Sequence, residues 1–177
     1  MAYDVRPGHG VGPLIHGMTR DSVRDLIGEP QTRGVEEMDD FHATEPVEIW
    51  EYEEAGMQVW FARDDDWRLG TITVFHRDAT IGGVPFIGRP ESELAEAASE
   101  AGLGSVEVED DFKESGCDYQ SSDQCISFWV EAGAVESLTA TPRFDDDEDT
   151  ILWPDLPDAP VKTEVQLEVG VKRGGGK

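Results

Sequence analysis

Hydrophobic and polar positions along the chain follow two periods, and the switches between them mark its elements. Between residues 19 and 28 the spacing is helical: Val23, Leu26 and Ile27 fall at i, i+3 and i+4 and share one face. Thr19 is placed to cap that helix by accepting from the amide of Asp21 or Ser22, and Asp21 sets a negative charge in the first turn. Gly28 ends the helix in a left-handed residue, and Pro30 keeps it from restarting. The period then changes to alternation. Val47, Ile49, Trp50 and Tyr52 predict a strand over 47–52, with a second over 57–62 and a third over 69–76. Gly56 and the run Asp64-Asp65-Asp66 supply the turns. The passage through Glu36, Glu37, Asp39 and Asp40 shows neither period and reads as a loop.

The same order returns. Aligning Gly17 with Gly88 sets Val23 on Leu94, and Pro90 suits a first helical position because it lacks the amide that would go unpaired there. Leu94, Ala97, Ala98 and Ala101 form a second stripe, ended by Gly102. An acidic loop follows through Glu107, Glu109, Asp110 and Asp111, then strands over 116–120, 124–130 and 135–141. Val59-Trp60-Phe61 corresponds to Ile126-Ser127-Phe128, and Ile72-Thr73-Val74 to Leu138-Thr139-Ala140. The expected fold is α+β: two tandem copies of a short helix followed by a three- to four-stranded antiparallel sheet, with a C-terminal extra strand or tail. The expected divisions are a flexible lead-in over 1–10, repeats over 11–79 and 80–144, and an acidic, proline-rich connector over 145–160. A possible edge strand over 161–171 alternates through Val161, Thr163, Val165, Leu167, Val169 and Val171, before a disordered tail over 172–177.

Charge changes the picture. The 177 residues hold 39 acidic against 14 basic side chains, a formal net charge of −25. Such a field repels nucleic acid and anionic membrane surfaces and steers a cationic partner. The competing reading is solubility or haloadaptation, since acid is spread along the whole chain and Lys113 is the only lysine before residue 162. No apolar run approaches the roughly 18 residues of a membrane span, and the first residues have no signal-like apolar core, so a cytoplasmic protein is expected. Cys117 and Cys125 flank the turn-like Ser121-Ser122-Asp123. They would oxidise only in an exported protein and stay thiols in a reducing cytoplasm.

Candidate chemistry is sparse. Glu53-Glu54 and Asp64-Asp65-Asp66 could serve as metal ligands or an acid–base pair, but acid runs at hairpin turns are ordinary in so acidic a chain. The run from Asp145 to Asp149 lacks the glycine hinge and glutamate spacing of a calcium loop. His9, His16, His42 and His76 are scattered, no serine sits in a Gly-x-Ser-x-Gly elbow, and no glycine loop precedes a helix as a phosphate cradle would. No catalytic set and no cofactor are expected. The aromatics Trp50, Tyr52, Trp60, Phe61, Trp67, Phe75, Phe128 and Trp129 fall on the predicted strands and turns. Trp60-Phe61 and Phe128-Trp129 each place neighbouring rings on opposite faces of a strand, so one ring of each pair needs cover from a second layer, the sister repeat or a partner. Exposed aromatics rimmed by carboxylates suit interface hot spots. The expected function is a non-enzymatic protein-binding inhibitor of the immunity type, neutralising a basic toxin or enzyme through Glu51, Glu53, Trp60, Asp64, Asp65, Asp66, Trp67 and Trp129. A scaffold or assembly module whose acidity is adaptive is the alternative, with a carboxylate-metal enzyme third.

Gly17-Met18-Thr19-Arg20, followed by Val23, Leu26 and Gly28, resembles the helix motif of the secreted β-lactamase inhibitor proteins and of the outer-membrane assembly lipoproteins of the BamE type. The resemblance covers residues 11–144. It implies a small helical hairpin paired with an antiparallel sheet, and in the inhibitors a tandem pair of such units. In the second copy, Gly88-Arg89-Pro90-Glu91 stands where the Gly-Met-Thr-Arg string would be. The likeness concerns fold, and β-lactamase inhibition is not carried over with it.

Overall fold

A computed structural model describes residues 3–39, 44–111, 115–123, 125–145 and 150–157. Three short strands, β1 (Asp4–Arg6), β2 (Gly10–Val11) and β3 (Leu14–Ile15), lead into helix α1 (Arg20–Ile27). A meander follows: β4 (Thr32–Asp39), β5 (Thr44–Tyr52), β6 (Met57–Ala62) and β7 (Leu69–Val74). The second half runs through β8 (Thr80–Ile81), β9 (Val84–Pro85), a 3-10 turn and α2 (Leu94–Glu100). It then forms the meander β10 (Val106–Asp111), β11 (Cys117–Ser121), β12 (Ile126–Glu131) and β13 (Ala134–Ala140). A ribbon of β14 (Arg143–Phe144) and β15 (Ile151–Leu152) closes the described chain.

This corrects the expected α+β fold of two helix-plus-small-sheet units. Strands take 49% of the structure and helical turns 15%, and the two meanders form one eight-stranded sheet in the order β10-β11-β12-β13-β7-β6-β5-β4. The join is β7 against β13, antiparallel, with Val74 opposite Leu138, Thr73 opposite Thr139 and Ile72 opposite Ala140. Two separate sheets would each have ended on an apolar, unpaired ladder. Pairing those edges satisfies both sets of backbone groups, and Ile72, Val74, Leu138 and Ala140 are all 0% exposed.

The outer edges of this sheet are β4 and β10, which correspond to the acidic passages read as loops. Strand β4 pairs with β5 along its full length, from Thr32 opposite Glu51 to Asp39 opposite Thr44. Residues 32–37 are all exposed, so no apolar alternation marks the strand; ladder bonds need only backbone. Charged side chains on such an edge also discourage pairing with another chain.

Both helices lie on one face of the sheet. In α1, Thr19 Oγ1 accepts from the Ser22 amide at 3.2 Å, and Gly28 at φ 87° sends its N–H to the Arg24 carbonyl. The expected buried stripe is only partly realised. Val23 is fully buried and Ile27 half-buried, but Leu26 is 50% exposed, because an eight-residue helix touches the sheet along little more than one turn. In α2, Leu94, Ala97 and Ala98 are buried as the spacing predicts, while Pro90 precedes the 3-10 turn Glu91–Glu93 rather than the α-helix itself. Under the helices the core holds Trp50 against Phe61, with ring centroids 4.7 Å apart, and Phe86 against Phe128 at 4.9 Å.

Within the stretch read as a lead-in, β1 pairs in parallel with β8 and Val5 is 1% exposed, so the first residues tie the two halves together. Within the stretch read as a connector, β15 pairs with β14, and Trp153 then lies over Gly17. A Cβ at Gly17 would come 3.1 Å from that indole, on a backbone with φ 88°. The possible edge strand over 161–171 and the tail over 172–177 fall outside the described residues. Among the described residues, no helix is long and apolar enough to cross a membrane.

Candidate binding face

Strand alternation assigns every side chain of the large sheet to one of two faces. The helix face carries Met57, Val59 and Phe61 of β6 and Phe128 of β12, all buried. The open face carries Gln58 and Trp60 of β6 and Ser127 and Trp129 of β12. Cross-strand pairing aligns the open-face residues into transverse rows. One row crosses all eight strands, in the order Glu107, Gln120, Ser127, Thr139, Thr73, Gln58, Glu51 and Thr32. It is polar from end to end, and Thr73 and Thr139 meet at its centre.

The row also resets the correspondence between the halves. Gln58 and Ser127 occupy it together, so Trp60 is the structural counterpart of Trp129 and not of Ser127. The two tryptophans lie on the open face on opposite sides of the central row. Each stands opposite a β-bulge in its neighbour: Gly70 of β7 is the extra residue against the Trp60–Phe61 step, and Glu136 of β13 against the Trp129–Val130 step. A bulge bends its strand and steepens the local twist, re-aiming the side chains beside it.

Beside each tryptophan is a groove. Thr32, Gly34, Glu36, Ile49, Glu51, Gln58 and Trp60 line one of about 320 Å³. Phe75, Arg77, Ile87, Gly88, Trp129, Glu131, Glu136 and Ser137 line another of about 440 Å³. In the second groove the Trp129 indole N–H lies 3.5 Å from Glu131 Oε2. In the first, the Trp60 indole N–H is covered and has no acceptor among the described residues.

Strand-borne basic charge is confined to the helix face. Among the residues of the eight strands, Arg33 is the only basic one. Its side chain lies on the helix face, with the guanidinium 4.7 Å from the Trp50 ring. Arg20 is on that side too, 2.5 Å from Glu48 Oε2 and 4.9 Å from the Trp67 ring. Burial pushes the Glu48 carboxyl up, but hydrogen bonds from Trp50 and Arg20 and the nearby arginine charges outweigh it and hold the group below its ordinary value. Glu36, Glu51, Glu107 and Asp118 stand on the open face with no strand-borne cation among them. Burial pushes the Tyr52 hydroxyl up to about 12, and it donates to the Gly28 carbonyl at 3.1 Å, tying β5 to the end of α1.

The structure distributes the sequence-derived contact residues unevenly. Glu51, Trp60 and Trp129 share the open face. Glu53 is exposed in the 3-10 turn Glu53–Ala55 between β5 and β6, and Asp64, Asp65 and Asp66 occupy the connection from β6 to β7. Trp67 is placed elsewhere: its backbone at φ 57° turns it to the helix side, where it packs on the core beneath Arg20. Sequence reasoning missed Gly34 and Glu36, which sit on an edge strand without periodicity, and Phe75, which ends 44% exposed beside Trp129. Cys117 pairs across from Val130 and not from Cys125. The two cysteines are not joined in a disulfide, and burial followed by the Asp123 charge raises the Cys125 thiol. Among the described residues, no group of three His, Cys, Asp or Glu side chains is arranged to hold a metal ion. Compared with protein-family models, with curated proteins and with solved structures, the chain matches none.

Proposed function

We propose that this protein binds and neutralises a basic protein, as an immunity-type inhibitor of a cationic toxin or enzyme acting in the cytoplasm. The observation that supports the reading is the make-up of the open face: half-buried Trp60 and Trp129 beside grooves, carboxylates at Glu36, Glu51 and Glu107, and no strand-borne cation. Acid on such a face accelerates encounter with a basic surface, and aromatic side chains beside grooves supply the anchoring contacts. A scaffold module with adaptive acidity is the second reading, and acid on the helix side as well (Asp21, Asp25, Glu29) favours it.

Affinity capture from the native host at low salt, with identification of what is retained, tests the proposal. The expected result is a single basic protein whose retention is lost on Glu51→Lys and kept on Asp25→Lys. Recovery of no partner, of acidic partners only, or of a partner equally sensitive to both reversals overturns it.

A further inference from the structure

We propose that the groove beside Trp60 is a receptor for one arginine side chain of the partner, a proposal that rests on the binding reading above and names the chemistry of one subsite. Three rows of the open face build the groove. The middle row runs Gly34, Ile49, Trp60, with Thr32, Glu51 and Gln58 on one side and Glu36 and Val47 on the other. Successive open-face residues on a strand are about 7 Å apart, so a carboxylate stands one row away on either side of the tryptophan row.

Each component suits a guanidinium. Trp60 lines the groove with its N–H covered, so it contributes ring carbon surface there, the kind of surface on which a planar cation stacks. Gln58 Nε2 donates to Glu51 Oε1 at 3.0 Å, which helps to hold that carboxylate beside the groove. Gly34 carries no side chain, and nothing lies within 4 Å of where its Cβ would be, so the groove is open along β4. The neighbouring Arg33 cannot fill the site, because its side chain is on the opposite face over Trp50. The counterpart groove at Trp129 differs on this point: Arg77 lines it, and Glu131 meets the indole N–H. Of the two related grooves, only the one at Trp60 pairs an aromatic wall with carboxylates and has no cation among its described lining residues. Arginine is favoured over lysine because its flat, weakly hydrated head both stacks and engages a carboxylate through two donors.

The test is an NMR titration of the full chain with N-acetyl-arginine amide, with N-acetyl-citrulline amide as the neutral isostere. Saturable shifts centred on the Trp60 indole and the Gly34 and Ile49 amides are expected, at least tenfold weaker for citrulline. Glu51→Gln should weaken arginine binding about two- to fivefold, the range of an exposed ion pair. Trp60→Leu should do so by a similar factor, through loss of the cation–π contact. Gly34→Val should abolish the response by filling the groove. Its backbone is not left-handed, no atom opposes the new side chain, and valine favours strands, so the amide spectrum elsewhere should be unchanged. Equal binding of arginine and citrulline, or an undiminished response in Gly34→Val, overturns the proposal. Loss of the groove with capture of a basic partner intact sinks the subsite alone; a working groove with no basic partner sinks the broader function alone.

Discussion

Thr73 and Thr139 face each other where the two meanders join, their hydroxyl oxygens 3.1 Å apart on the open face. One hydroxyl donates and the other accepts, and each occupies the same place in its own half of the sheet. Removing either leaves the other without its partner in a site where Thr73 is only 9% exposed. Thr73→Val and Thr139→Val should each cost about 1 kcal/mol, whereas the double variant should cost less than their sum, because two apolar groups of the same shape leave no unmatched atom. Urea unfolding of the four proteins measures the coupling. Additivity would mean that the pair does not join the halves energetically.

His16 is fully buried, and neither ring nitrogen makes a hydrogen bond within the described residues. Burial pushes its pKa down to about 4; the Gly70 backbone opposes this, and the nearby His9 adds a smaller push downward. In the unfolded chain the group titrates near 6.5, so between pH 6.5 and 4 the unfolded state binds more protons and stability falls with pH. At about 1.4 kcal/mol per unit the full loss is roughly 3 kcal/mol. His16→Leu should flatten that segment of the stability–pH profile, followed by denaturant unfolding from pH 7 to 4. An unchanged slope would place the titration elsewhere.

Glu48 links α1 to the sheet: it accepts from the Trp50 indole at 2.7 Å and from Arg20 at 2.5 Å. Trp50 is 1% exposed, so Glu48→Ala strands a buried donor and should cost about 2 kcal/mol. Arg20→Ala should cost under about 1 kcal/mol, since that guanidinium is partly solvated and screened. Glu48 is held below its ordinary pKa, so its contribution is complete above the unfolded value and is lost as pH falls through the lower folded one. Thermal melts at pH 7 and pH 3 should show the Glu48→Ala penalty shrinking in acid.

A net charge of −25 sets folding and binding against each other in salt. Added sodium chloride screens self-repulsion and should raise the melting temperature, while weakening capture of a basic partner. Gains in stability that continue well into molar salt, with no loss of any binding, would favour the adaptive reading of the acidity.

The legible parts of this fold are those fixed by local chemistry. Thr19, Val23 and Gly28 specify a capped helix, and 57–62 is recovered residue for residue as β6, because its two faces meet different surroundings. The edge strand holding Gly34 and Glu36 was invisible, since a strand wet on both sides has no reason to alternate. With it went half of the groove beside Trp60. Trp67 shows the converse limit: an aromatic in an acidic turn looks exposed, yet two consecutive left-handed residues, Asp66 and Trp67, swing it under Arg20.

By itself the sequence determined where the first helix begins and ends, where β6 runs, and that the chain is strongly acidic. These follow from bonds and contacts spanning a few residues. Only the tertiary structure decided that the two meanders share one sheet, that Trp60 answers to Trp129, and that the strand-borne arginine lies on the helix face. Those depend on pairing between residues some 66 positions apart, such as Thr73 with Thr139, whose register is chosen by which apolar edges can be buried together.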